Sequence, residues 1–334
     1  HGIGGLMANS MMFQRFPTHA GYDDPQLSNF FGQALPLLKR GIPVKTVHIE
    51  NLPFEETLKN TKILLMSYAN MKPLNADGHK YIAEWVKKGG VLIYSGRDND
   101  PFQTVTEWWN TGGNNYAAPS GHLFEQMNIT SIPTDEMYVY GKGTVYVLRQ
   151  DPKEFILTKN SDEKFLNVIQ TTYERKAKVG KIEIKNNFHL QRGCYDLIAV
   201  LDESVNDKPY IAKGIYIDLF DPQLPVLTTK VVKPNEQAFL YNLNNVKNKK
   251  KPQVLASASR IYDEKIKSNE YVFTSKSPIN TTNVSRILLP KKPQSITINE
   301  TKLEINDTIW NQTSNTCLLE FENNPEGVNV TIKW

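Results

Sequence analysis

Hydrophobic positions in this chain change their period once. In roughly the first half they come as short continuous runs separated by stripes at helical spacing; from Lys181 onward they alternate with polar residues. Residues 61–97 show the first pattern best. Ile63-Leu64-Leu65-Met66 is an uninterrupted apolar run, as expected of a strand buried on both faces. Tyr81, Ile82, Trp85 and Val86 then share one stripe of a helix, with Lys80, Glu84, Lys87 and Lys88 mostly opposite. Asn75 is placed to cap its start and Gly89-Gly90 to end it in a left-handed turn. Val91-Leu92-Ile93-Tyr94 is a second buried strand, so this span predicts a right-handed parallel strand–helix–strand unit.

The flanks extend that alternation. Residues 2–12 hold a glycine-rich strand, and residues 15–26 a polar, aromatic loop. A helix stripe follows on Leu27, Phe30, Phe31, Ala34, Leu35, Leu37 and Leu38, with Pro36 predicting a kink or a late break. Residues 44–49 read as a strand and PFEETLKN as a short helix. After Tyr94 the pattern loosens, with helices expected over 102–109 and 122–127. EMYVYGKGTVYVLRQ reads as two strands around a Gly-Lys-Gly turn, and residues 161–175 as a last helix capped by Ser161. The expectation is an α/β domain over 1–178 with a doubly wound parallel sheet of flavodoxin or class I amidotransferase-like type. A dozen strand candidates from KIEIKN to VNVTIKW predict an all-β second domain over 179–334. That domain is an antiparallel β-sandwich, or two small ones divided near 250. KNKKKP, at 247–252, reads as a solvated hairpin tip.

Composition narrows the function classes. A chain of 334 residues with 40% hydrophobic residues has enough apolar material for two packed domains. Its net charge of +4 is spread over scattered lysines, which argues against a nucleic-acid face. No apolar run reaches the length of a membrane span. The opening HGIGGLMANSMMFQRF has neither an initiator Met nor a signal-peptide pattern, and reads as the interior of a longer chain. Cys194 and Cys317 have no metal-ligand spacing and read as buried thiols. Asn-x-Ser/Thr triplets at Asn128, Asn280, Asn283, Asn299, Asn306, Asn311 and Asn329 fit the amide-rich composition of the whole chain.

Motifs for nucleophilic or nucleotide chemistry are missing. The α/β half has no cysteine, no G-x-S-x-G elbow, no P-loop and no G-x-G-x-x-G between a strand and a helix. Ser67, at the end of a buried strand, stands where a nucleophile would, and reads as a turn residue. Ligands of open α/β sheets bind at the carboxyl ends of the strands, and two loops there carry unusual chemistry. One holds Arg15, His19, Tyr22, Asp23 and Asp24; the other holds Arg97, Asp98, Asn99, Asp100, Trp108, Trp109, Asn114, Asn115 and Tyr116. Aromatic faces beside Asp, Asn and Arg suit a sugar, with its apolar ring faces and rim of hydroxyls. The bland alternative is that the tryptophans pin the loop to the sheet and the charges are its wet rim. Asp98 and Asp100 offer two carboxylates to a Ca²⁺, short of a full ligand loop, and no other cofactor or metal is expected.

TKILLMSYANM, HKYIAEWVKKGGVLIYSGR and the hairpin GKGTVYVL resemble a known domain. It is the amidotransferase-like, trimerisation-type domain that follows the catalytic barrel of family 42 β-galactosidases and of galactosyl-hexosamine phosphorylases. GIYIDLFDPQLPVL, KPNEQAFLYNL and LLEFENNPEGVNVTIKW resemble the C-terminal β-sandwich of multidomain glycoside hydrolases. The resemblance implies a non-catalytic C-terminal portion of a larger, secreted or periplasmic bacterial enzyme. Its partners would be a carbohydrate, the catalytic domain N-terminal to it and other copies of the chain in a homo-oligomer. No catalytic residue carries over, because the family's catalytic carboxylates lie on the barrel. Two other readings stay open: a stand-alone sugar-binding protein, and a hydrolase acting on glycosides through Asp98 or Asp100.

Overall fold

The structure, a computed structural model, describes residues 2–9, 30–100, 102–130, 133–176 and 180–334. The chain divides into two compact units, His1–Lys185 and Asn186–Trp334. In the first, strands β1 (Ile3–Met7), β2 (Lys45–His48), β3 (Ile63–Met66), β4 (Val91–Ser95), β5 (Met137–Tyr140) and β6 (Gly143–Leu148) form one sheet in the order β2-β1-β3-β4-β6-β5. All neighbours pair in parallel except the β5–β6 hairpin.

The apolar run of β3 explains the layers. Its four side chains have no exposed surface and alternate between two cores. Leu64 and Met66 join Leu92, Tyr94 and Val145 under Ile82 and Val86 of helix α2 (Asp77–Lys87; α1 is Phe30–Leu38) and Leu123 and Phe124 of a helix at Pro119–Glu125. Ile63 and Leu65 join Val91 and Ile93 against Leu37, Phe155, Phe165 and Ile169, which lie on helices at Phe30–Leu38, Glu154–Leu157 and Glu163–Thr171. Each buried aliphatic side chain contributes about 1.5–3 kcal/mol. Helices therefore cover both faces, and polar chemistry is left to the strand ends.

Local signals hold with small shifts. The helix at Phe30–Leu38 runs through Pro36 and stops two residues later. Helix α2 begins at Asp77 with Ala76 as N-cap, while the Asn75 Oδ1 accepts from the Asp77 N–H at 2.9 Å, so Asn75 closes the turn from one position earlier. At the other end Gly89, at φ +119°, donates to Val86 and Gly90 to Trp85, closing the helix in a Schellman turn. Residues 102–109 form turns rather than the expected helix, because their tryptophans are used to hold the loop down. The last helix is preceded by Asp162 rather than Ser161, with no side-chain cap bond. KIEIKN is not a strand; Ile182 packs on the sheet's second core, and the next strand begins at Asn187.

The second unit is antiparallel throughout its described strands. One five-stranded sheet runs in the order Val226–Val232, Tyr210–Asp218, Gln237–Asn242, Tyr195–Val200, Asn187–Arg192. The following strands build a four-stranded and a five-stranded sheet that share a core of Tyr271, Phe273, Ile287, Leu319, Val330 and Ile332, forming a β-sandwich. Cys194 is half-buried and Cys317 buried, and neither is in a disulfide.

Gly143 opens β6 against the end of α2, where a Cβ would lie 1.9 Å from the Val86 carbonyl oxygen and 2.4 Å from that of Gly90. Gly143→Ala is expected to destabilise the first unit by about 3 kcal/mol. Gly112→Ala, at φ +61° in open space, should lose only about 1 kcal/mol from backbone strain. Urea midpoints of the two variants check this, and equal losses would contradict the close-approach argument.

Candidate functional site

The chain leaves β4 through Ser95 and Gly96 and turns at Asp98, which sits at φ +56°. Asp tolerates this left-handed conformation better than most residues. Its carboxylate is surrounded by donors: the Tyr94 hydroxyl, the Ser120 Oγ at 2.8 Å and an Arg149 Nη1 at 2.6 Å. Arg149 follows β6 directly. It also donates to the carbonyls of Gly96 at 3.0 Å and Pro133 at 2.8 Å, and lies over the rings of Tyr94 and Phe124. One guanidinium thus ties the exits of two adjacent parallel strands to the segment before β5. Burial, reinforced by Asp98, pushes the Tyr94 phenol well above its ordinary value, so it stays a donor.

Beside this knot lies a groove of about 950 Å³ lined by Arg97, Asp98, Tyr116, Phe124, Ile129 and Arg149, among others. Its charged rim is paired within the protein. Arg97 is bound by Glu154, Tyr116 donates to Glu125, and Asp135 accepts from Lys164 Nζ at 2.8 Å and from the Arg149 backbone N–H. Burial pushes the Asp135 carboxyl up, but these donors outweigh it and hold the group below its usual range. The groove therefore presents apolar ring surface among fixed donors and acceptors of nearly balanced charge.

A second polar cluster fastens the long loop after β4. Asp100 accepts from Lys72 Nζ at 2.6 Å, Gln103 Nε2 at 2.8 Å and the Phe102 N–H at 3.0 Å. The Lys72 and Asp100 side chains are 6% and 3% exposed, so truncating either would strand a buried charge, at a cost of about 3–5 kcal/mol. Trp109, 1% exposed, donates its indole N–H to Gln103, and Trp108 donates to Pro73. Under the loop Tyr68 OH meets His79 Nε2 at 2.6 Å, and His79 Nδ1 meets His122 Nδ1 at 2.8 Å. That last contact requires one ring to donate and the other to accept, so the pair is not doubly protonated.

The structure brings Arg97, Asp98 and Tyr116 together around the groove. It places Asp100, Trp108 and Trp109 in the fastening of the loop, with Trp109 covered. Arg15, His19, Tyr22 and Asp23 lie outside the described residues, as does Asp24. Asp98 and Asp100 face different cations rather than a shared ion. No group of three or more His, Cys, Asp and Glu placed to hold a metal occurs among the described residues. Ser67 is buried and its Oγ accepts from the Ala69 N–H at 3.1 Å, the geometry of a turn. Arg149 and Asp135 were not legible as site residues. The same strand-end rule, applied to β6 as well as β4, points to Arg149; Ser120 and Phe124 come from a helix with no such signal.

Burial, with His122 beside it, pulls His79 down to about 3. An unfolded His takes up its proton near pH 6.5. The stabilising contribution is therefore complete above that pH and is lost as pH falls from about 6.5 toward 3, at about 1.4 kcal/mol per unit. His79→Gln should flatten this acid limb by about one proton, read from the opening free energies of the Leu64 and Leu65 amides by hydrogen exchange. An unchanged slope would contradict a neutral, buried His79.

No protein-family model matches the chain, and no curated protein does. Solved structures similar to it include a catalytic mutant of a GH42 β-galactosidase from G. stearothermophilus, at 13% identity and TM-score 0.34, over 65% of this chain and 36% of that one. β-Galactosidases from Bacillus circulans sp. alkalophilus and Rahnella sp. R3 match at 9% identity with TM-scores of 0.40 and 0.39, each over 72% of this chain and 41% and 40% of theirs. The chain thus spans well under half the length of these enzymes.

Proposed function

We propose that this chain is a non-catalytic portion of a larger carbohydrate-active, glycoside hydrolase-like enzyme, and that the groove beside Asp98 takes a neutral saccharide. The α/β unit would be an amidotransferase-like domain without its nucleophile, serving assembly and forming one wall of a sugar site, in a secreted or periplasmic protein. The observation that carries the reading is the state of the Asp98 carboxylate. Three donors of the protein occupy it, so it acts as a fixed part of the wall rather than as a base or nucleophile. Glu125 and Asp135 are likewise engaged, and Asp100 is sealed against Lys72. A glycosidase needs a carboxyl pair able to exchange protons with the substrate. The half-buried Tyr116 ring and the exposed Ala117, beside nearly balanced charges, suit a sugar ring better than an ionic ligand. The sequence resemblance to family 42 β-galactosidases points the same way.

The test is an immunoblot of the source organism with an antibody against this chain, together with an assay of the purified chain on a nitrophenyl β-galactoside. The expected results are a band well above 38.1 kDa and no release of nitrophenol. A band at the size of the chain, with turnover that Asp98→Asn abolishes, would overturn the proposal in favour of a hydrolase. A band at that size without turnover would favour a stand-alone sugar-binding protein.

A further inference from the structure

The second unit buries a cluster of hydroxyl and amide side chains in the core of its sandwich. Where the two sheets of the sandwich meet at one end, the inter-sheet space is filled by hydroxyls and an amide instead of hydrocarbon. Ser275, Asn283 and Ser285 are fully buried there. Ser257 Oγ lies 2.7 Å from Ser285 Oγ, 2.9 Å from Ser259 Oγ and 3.1 Å from Asn283 Oδ1, and Ser275 Oγ donates to Ser259 Oγ at 2.6 Å. Burial of Asn283 also keeps its Asn-x-Ser triplet from being a glycan acceptor. Such a network holds each hydroxyl in one orientation at the expense of apolar packing.

The network surfaces in a second concavity, of about 990 Å³, whose floor includes Ser257 and Ser259. Three chain reversals converge on it: those after Gln253–Ser257, after Glu270–Lys276 and after Thr316–Glu322. Arg260 and Lys276, paired across neighbouring strands, stand on its wall, and no carboxylate among the described residues lines it. The Lys276 ammonium lies 5.8 Å from the Tyr262 ring centre, and Tyr262 is 41% exposed. Pro278 and Ile279 complete an apolar edge.

We infer that this end of the sandwich is a binding site for an acidic saccharide, one whose sugar rings carry carboxylates. The two cations supply the charge complement that the groove of the α/β unit lacks. The Ser259 hydroxyl, fixed by Ser257 and Ser275, keeps one hydrogen-bonding position for a sugar hydroxyl, and Tyr262 with Pro278 offers a face for the ring. Two cations and one exposed ring are too few for a nucleic acid, which needs a longer basic track with stacked aromatics.

The experiment is calorimetric titration of the full chain with trigalacturonate and, separately, with neutral galactotriose. Trigalacturonate should bind at least about tenfold more tightly, and the difference should shrink as salt is raised. Arg260→Ala and Lys276→Ala should each weaken it by about tenfold, one charge-assisted hydrogen bond apiece. Tyr262→Ala should weaken it too, while Arg97→Ala in the other unit leaves it unchanged. Unfolding midpoints confirm that these exposed substitutions leave the fold intact. Equal affinity for the two sugars, or acid-sugar binding that survives the Arg260→Ala/Lys276→Ala double change, would overturn the proposal. So would silence toward trigalacturonate, with or without binding to anionic vesicles or to a DNA duplex.

Discussion

Four consecutive side chains with no exposed surface, Ile63 to Met66, set the terms for the α/β unit. A strand buried on both faces demands a helical layer above and below, and its own backbone must be satisfied by parallel neighbours β1 and β4. Once both faces are closed, the central strands β1, β3, β4 and β6 can bring polar groups to water or a ligand only at their ends. The chemistry at Asp98 follows from that exclusion.

At those ends two ion pairs divide the work. Lys72–Asp100 is sealed and holds the long loop down over the turn after β3. Arg149–Asp98 remains partly open and fixes the rim of the groove. The same residue types, two positions apart in sequence for the aspartates, therefore serve different ends, because the left-handed turn at Asp98 points one carboxylate toward β6 and leaves the other facing back toward Lys72. The sandwich uses the opposite device. There a polar network is built into the core and brought to the surface between chain reversals, beside Arg260 and Lys276, which pair with no carboxylate among the described residues.

The layers of the α/β unit were readable because burial on both faces writes itself as an unbroken apolar run, and a covering helix as a stripe. Strands of the second unit were readable from alternation, apart from KIEIKN, of which only Ile182 packs on the first sheet's core, residues 187–192, whose exposed face hides the period, the reversal at 258–259 that separates Gln253–Ser257 from Arg260–Lys267, and the two-residue strand Trp310–Asn311. The loop at 97–118 was legible as unusual but not as a structure. Trp108 and Trp109 carry the same letters whether they stack on a sugar or fasten a loop, and only the indole bonds to Pro73 and Gln103 separate the two. Arg149 carried no comparable signal, because the exit of β6 is short and holds no run of unusual residues. A short strand exit places a side chain just as firmly, and the groove depends on this one.

The most direct test of the account is where a neutral sugar settles on the chain. Hydrogen–deuterium exchange with and without saturating galactobiose would locate it. The account predicts slowed exchange at 97–98, through the helix at Pro119–Glu125 and at Arg149, with none at 260–277. Protection confined to other segments, or no protection anywhere, would contradict the assignment of the groove beside Asp98 as the saccharide site.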